Sequence, residues 1–400
     1  MAVYLAVASI LLLLALLEVG TRRRWCAAIA LIIVTAFAAL RYETGFDWIS
    51  YKWIFEEAPT VVGFLRGEPL NPNSDLLVME DTYLVLNSVV RSFTDNIIVL
   101  FSLISVFTIL AIHQVTGKLS RSQCLVWLVY FCLVFLAVQM SSIRSAISSS
   151  IVLIGLMLAA RQHPVSGLMT IGIATAFHSV SAVFLPLPLL RNWRPSGKFV
   201  LLILTVGLVA FGLGLQPTDP LIDFISPYLP SAIAAKLISF YRGLEPTPIS
   251  MGTYVLILGQ LSLLLVFYRS PSEKDQRDPA LIIAIWLTIA MVSAHLLLAG
   301  FPAVWNRLMY VALPWQIASM CRTDIFTRLS VAAKRFIVCG LGSVSIAGLV
   351  YFLVSPASLP FIPYRSVVQV WLTGDPGDGE ERSLQWYAIV GNPFTGRLER

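Results

Sequence analysis

The chain has 400 residues, 57% of them hydrophobic and only 12% charged, with a mean hydropathy of +0.80 and a formal net charge of +6. A soluble domain carries about 25% charged residues, so a soluble globular class is excluded. Apolar runs of about 16 to 21 residues fit membrane-crossing helices rather than the short alternating strands of a barrel. The basic excess flanks these runs, where retention on the cytoplasmic side accounts for it, and no nucleic acid partner is expected.

In chain order, apolar runs near 2–19, 25–40, 97–113, 123–139, 145–160, 166–190, 199–215, 250–268, 280–298, 303–320 and 336–354 predict an all-α, polytopic helical domain over 1–354. The first run has no basic region before it and no small-x-small site after it, and "TRRR" follows it. It reads as an uncleaved helix with its N-terminus outside. Segments 41–96 and 216–249 then become extracytoplasmic loops, and 355–400 an extracytoplasmic polar tail with the Gly/Asp/Glu content of a flexible segment.

The run 166–190 breaks simple counting. A single crossing would place the basic linkers "RNWRPSGK", "YRSPSEKDQR" and "CRTDIFTRLSVAAKR" outside, whereas a re-entrant pair of half-helices meeting near His178 returns all three to the cytoplasm. Each arm of about 12 residues reaches about 18 Å, too short for a hydrocarbon core of about 30 Å. A broken pair is therefore predicted there, giving 11 to 12 membrane segments. On this topology the inner linkers hold 16 of the 28 Lys and Arg but 4 of the 22 acidic residues, and loop 41–96 holds 9 acidic against 4 basic, which supports the assigned sides.

No carboxylate lies in the middle of an expected span, which argues against a proton-coupled pump. Ionisable groups gather instead at outer ends: Arg41, Asp47, Glu80, Arg144, His178, His295 and Arg307. In "RYETGFDWISY", Gly45 lets the backbone bring Arg41 and Asp47 together, and Asp47, Tyr51 and Phe55 recur at four-residue spacing. Trp48 and Trp53 read as interfacial anchors. In "QMSSIRSAISSS", Ser141, Ser145 and Ser148 share a face with Arg144. The stripe is either small-residue packing beside a snorkelling arginine or a hydrophilic groove whose guanidinium grips an anion. His178 in "FHSVS" either is a satisfied core residue or lines a cavity; His295 and Glu80 lean to structural roles, Glu80 as a helix-start carboxylate, and Arg307 opens a span. The five cysteines lack a C-x-x-C spacing, and no paired-carboxylate motif stands out, so neither metal nor cofactor is expected.

These motifs, in this order, resemble the EpsG family of Wzy-like exopolysaccharide polymerases. The likeness rests on Arg41, Gly45, Asp47 and Tyr51; on Glu80; on Arg144 in "IRS"; on His178 and Ser181 in "FHSVS"; and on Arg307 with Tyr310 in "NRLMY". It covers roughly residues 1–354, and it departs at Ser145, where the family often has Gln. The resemblance implies a bacterial cytoplasmic-membrane glycosyltransferase that joins oligosaccharide repeats carried on undecaprenyl diphosphate at the outer face. Asp47, His178 and Glu80 would be the candidates for proton transfer. Arg41, Gly45, Tyr51, Arg144, Ser145, Ser148, Arg307 and Tyr310 would bind substrate, with membrane lipids, a chain-length regulator and export proteins as partners. An O-antigen-type ligase and a non-enzymatic flippase of lipid-linked sugars are the competing readings.

Overall fold

The computed structural model describes residues 1–21, 24–70, 79–214, 223, 226–228, 251–269, 272–298, 302–375 and 377–390. Loop 216–249 therefore lies almost wholly outside the described residues, as does the end of the tail. Among the described residues there is no strand, only an isolated antiparallel bridge between Arg41 and Ser366.

In chain order the principal helices begin with α1 (Ala2–Thr21), α2 (Arg24–Ala39), α3 (Trp48–Glu57), α4 (Val61–Leu65), α5 (Asp81–Arg91) and α6 (Ile97–Leu119). There follow α7 (Gln123–Val138), α8 (Ile143–Ala160), α9 (Pro164–Phe177), α10 (Gly197–Gly212), α11 (Met251–Arg269), α12 (Pro279–Leu297), α13 (Pro302–Arg322) and α14 (Val331–Val354). The tail forms α15 (Val367–Thr373) and α16 (Gly379–Val390).

Six of these helices, α1, α6, α8, α11, α12 and α14, are long and apolar enough to cross a membrane. Four other expected runs form five shorter apolar helices, at 25–39, 123–138, 164–177, 179–190 and 197–212, the run 166–190 giving two of them. The remaining one, α13, has 21 residues, and its apolar run is interrupted by Asn306, Arg307 and Gln316.

The chain divides into two compact units, Met1–Pro188 with Arg328–Arg400, and Leu189–Thr327. In the second unit, α11, α12 and α13 share a buried amide pair. Gln260 and Gln316 exchange bonds of 3.2 and 2.7 Å, and Gln316 Nε2 also donates to Thr288 Oγ1 at 2.9 Å. Polar pairs of this kind fix helix register where lipid supplies no hydrophobic drive.

In the first unit α8 and α9 form an antiparallel hairpin. A Cβ on Gly155 would meet the Gly167 carbonyl oxygen at 2.9 Å, and one on Gly167 the Gly155 oxygen at 2.7 Å, so the backbones touch where both lack side chains. The hairpin carries the chain back to its starting level: Arg144 opens α8 and His178 follows α9. Helix ends at Phe177 and His178 is extended, with φ −157° and ψ 114°, before a 3-10 turn over Ser179–Phe184. The helix thus breaks at His178.

Two elements differ from expectation. Within α7 the stretch Phe131–Phe135 is π-helical. The tail, expected to be flexible, folds back onto α3. Trp48 Nε1 donates to Ser383 Oγ at 2.6 Å, Ser50 Oγ and Tyr387 Oη lie 2.9 Å apart, and Lys52 pairs with Glu380 at 3.2 Å. Apolar residues within the Asp/Gly/Glu-rich segment, Tyr387 and Trp386, join the core formed by Trp48, Ile49, Phe55, Tyr83 and Phe101, and burial of these rings outweighs the polar composition. Trp48 is accordingly 3% exposed, an internal hydrogen-bonded residue rather than a lipid-facing anchor.

Candidate functional site

The polar centre of the first unit is built around Glu80. Its backbone occupies the N-cap of α5, but its side chain does not cap that helix. Instead Oε2 forms a direct ion pair with Arg144 Nη1, and Oε1 lies 3.3 Å from His178 Nδ1. Ser179 adds its backbone N and Oγ, each 3.4 Å from Oε1. One carboxylate therefore ties the first turn of α8 to the break after α9. The side chains of Glu80, Arg144 and His178 are 11%, 19% and 8% exposed, so the pair is far less screened than a surface ion pair.

Asp47 behaves in the same way. It is the N-cap of α3 and Ser142 is the N-cap of α8, yet neither caps its own helix, because Ser142 Oγ donates to Asp47 Oδ2 at 3.1 Å. Three helix N-termini, of α3, α5 and α8, are thus linked through side chains that would ordinarily satisfy their own first turns.

Tyr51 on α3 hydrogen-bonds with Arg144, and its ring meets that of Tyr83 edge-on at 5.6 Å. Burial raises the Tyr51 hydroxyl above its ordinary pKa; the Arg144 charge opposes the shift and the Asp47 charge adds to it. Tyr83 and Tyr387 are raised chiefly by burial as well. These phenols stay protonated, and Tyr51 accepts from the Arg144 guanidinium.

Gly45 explains why Asp47 can reach α8. Its φ is +123°, and a Cβ there would sit 2.0 Å from the Met140 carbonyl oxygen. On either side of this contact, Gly45 N donates to Pro360 O at 3.1 Å and Phe46 N to Ser141 Oγ at 2.9 Å.

Of the other expected site residues, Arg41, Ser145, Ser148 and Ser181 belong to the first unit. Arg41, 1% exposed, points inward. Its Nη1 donates to Ala38 O at 2.7 Å and Ser105 Oγ at 3.0 Å, and the guanidinium lies 4.7 Å from the centroid of the Phe101 ring. Ser145 and Ser148 are buried, and Ser148 Oγ bonds to the Ser145 carbonyl within α8, so they pack the helix rather than line a groove. Ser181 is buried in the 3-10 turn after His178. Arg307 and Tyr310 belong to the second unit, as does His295, whose Nδ1 is 2.7 Å from Met291 O and whose ring lies 4.4 Å from that of Trp305.

Ser142, Ser179, Tyr83 and Tyr387 were not expected at the site. Tyr83 could have been found as the residue one helical turn after Glu80, and Ser142 and Ser179 as hydroxyl neighbours of Arg144 and His178. Nothing in the sequence places Tyr387 there. Among the described residues no group of three or more His, Cys, Asp and Glu could hold a metal ion.

No curated protein and no solved structure matches the chain. The model of the EpsG family matches residues 1–366, a stretch that contains Asp47, Tyr51, Glu80, Arg144 and His178, and the protein belongs to that family.

Proposed function

We propose that this polysaccharide-related membrane protein of the EpsG family is a glycosyltransferase that polymerises oligosaccharide repeats carried on undecaprenyl diphosphate. The observation that carries the reading is the Glu80 carboxylate held between Arg144 and His178. In this reading a hydroxyl oxygen of the acceptor sugar bonds to the anomeric carbon of the donor repeat. The bond from that carbon to the phosphate oxygen breaks, and its electron pair leaves with the polyprenyl diphosphate.

The departing group gains negative charge, which Arg144 and the positive ends of three helix dipoles favour. Arg144 Nε has no hydrogen-bond acceptor in the structure and supplies a donor besides the one used on Glu80. His178 is the proton acceptor. Glu80 takes the hydrogen bond from Nδ1–H, which fixes the tautomer with the basic lone pair on Nε2, so the acceptor hydroxyl proton passes to that nitrogen. Glu80 is then a positioning residue shared by both partners. Asp47 and Tyr51 set the sugar-facing side of Arg144.

The same reading places the site at the outer face of the bacterial cytoplasmic membrane. There the shorter apolar helices complete 11 to 12 segments, and the chain re-enters at His178. A chain-length regulator and export proteins act with it.

The test uses membranes supplied with lipid-linked repeats and resolves product by length. Arg144→Ala should leave single repeats displayed outside, and His178→Ala should slow elongation while leaving donor binding intact. A full-length ladder from Arg144→Ala would overturn the reading. Single repeats trapped inside would instead mark a flippase.

A further inference from the structure

At the end of the family-matched stretch, residues 361–366 run along the ends of α1 and α2, and α15 begins just beyond it. Tyr4 Oη donates to Phe361 O at 2.6 Å. The Tyr364 ring stacks on Phe37 at 4.3 Å, and its hydroxyl donates to Phe37 O at 3.0 Å. Tyr42 N donates to Arg365 O at 3.0 Å, and Val367 N to Leu40 O at 2.8 Å. Helix α15 therefore starts level with the last residues of the apolar run of α2.

This helix is finished at both ends. Ser366 Oγ accepts from Gln369 N, and Gly374, with φ +70°, closes the C-terminus by donating to Val370 O. Yet none of its residues is buried. At about 100° per residue it has three faces. Val367 and Val370, half-buried, lie against the protein; Gln369 and Thr373 form a polar face; and Val368, Trp371 and Leu372 form an apolar face that is 47%, 80% and 70% exposed. A helix of seven residues is too short to hold itself together in water, where isolated helices shorter than about 12 to 15 residues are marginal.

We infer that α15 is an interfacial membrane anchor, with the Val368/Trp371/Leu372 face immersed at the boundary between lipid headgroups and acyl chains. The surface it continues is already apolar: Leu40, one hydrogen bond away, is 40% exposed, and Ile32 on the same α2 is 66% exposed. Trp is the side chain that settles at headgroup level, and amphipathic helices lie in that plane about 5 to 10 Å deep. A second copy of the chain is the weaker occupant, because three side chains fall far short of the about 800 Å² a side that a stable dimer buries. The anchor pins the start of the tail at the membrane surface, from which α16 reaches α3. It does not depend on the reaction proposed above.

The test uses the full-length protein in lipid nanodiscs with Cys339→Ser, the other four cysteines being buried. A single environment-sensitive fluorophore is placed by Trp371→Cys, Leu372→Cys, Gln369→Cys or Thr373→Cys. Probes at 371 and 372 should emit at shorter wavelength and lose most of their emission to nitroxide carried on shallow lipid positions. Probes at 369 and 373 should instead be quenched by aqueous iodide. Equal iodide quenching at 371 and 369 would overturn the anchor, and so would protection at 371 that follows protein density and yields a 371–371 cross-link. Should Trp371→Cys fail to insert, Val368→Cys and Leu372→Cys carry the same comparison.

Discussion

Replacing Gly45 by alanine separates two effects that usually travel together. The positive φ alone costs an L side chain about 1 to 2 kcal/mol. At Gly45 the added Cβ would also lie 2.0 Å from the Met140 carbonyl oxygen and 3.1 Å from Ser141 Oγ. Ordinary contact needs at least 3.4 Å, so one backbone must retreat by about 1.4 Å. That movement pulls the Asp47 segment from Ser142 and from the first turn of α8, which bears Arg144, adding about 1 to 3 kcal/mol of overpacking. A misplacement of this size costs a preorganised site about 100-fold in rate. Gly67 is the control, because its φ is +95° but a Cβ there would meet nothing within 4 Å. Gly67→Ala should lower the thermal midpoint of the purified protein slightly and leave the product ladder unchanged, whereas Gly45→Ala should lower the midpoint further and collapse the ladder to single repeats. If the two variants match in both readouts, close approach at Met140 is not what Gly45 provides.

Three further outcomes are expected. Glu43 lies against Gly379 at the start of α16; burial above all, and the Glu380 charge, raise its pKa above the ordinary carboxyl value of 4.5, while Lys52 opposes this. The docked tail thus binds more protons than a freed one, so docking weakens as pH rises from about 4.5 through the raised value, and proteolysis of the tail should accelerate over that window in the wild type but not in Glu43→Gln. In the second unit, Gln260→Leu should destabilise by about 1 to 2 kcal/mol by leaving a buried amide short of partners. Gln260→Leu with Gln316→Leu should recover most of that loss in a detergent melt; a double variant worse than the single would refute the pairing. Arg41→Met should cost about 1 to 3 kcal/mol of stability by removing the Nη1 bonds to Ala38 O and Ser105 Oγ, with product length unchanged. Shortened product at an unchanged melting point would show instead that Arg41 meets substrate.

Charge in an apolar chain is costly, and that is why the candidate cluster was partly legible before any coordinates. Asp47, Glu80, Arg144 and His178 stood out at predicted helix ends, and all four meet there. Arg41 carried the same signal but folds inward, because a guanidinium buried on backbone and hydroxyl oxygens looks, in one dimension, like one that faces substrate. The serine stripe misled for a related reason: hydroxyls that bond back to their own helix need no groove. The tail was misjudged because Gly, Asp and Glu dominate its composition, while its docking depends on a few rings and one hydroxyl partner per turn. Span number was the least legible quantity, since runs of similar hydropathy yield helices of 14 to 24 residues.

The π-helical stretch of α7 sets a phase. Around it the hydrogen bonds run five residues back, from Met140 N to Phe135 O and from Ser142 N to Ala137 O, so the chain has taken up one residue more than an α-helix would. Everything downstream is therefore turned by about 100° relative to an unbroken helix. Ser141, which receives Phe46 N, and Ser142, which holds Asp47, point as they do because of that extra residue. Length at this point is thus a functional variable: losing a single residue between Phe131 and Phe135 would leave the span apolar and helical, yet aim both serines away from the loop they hold.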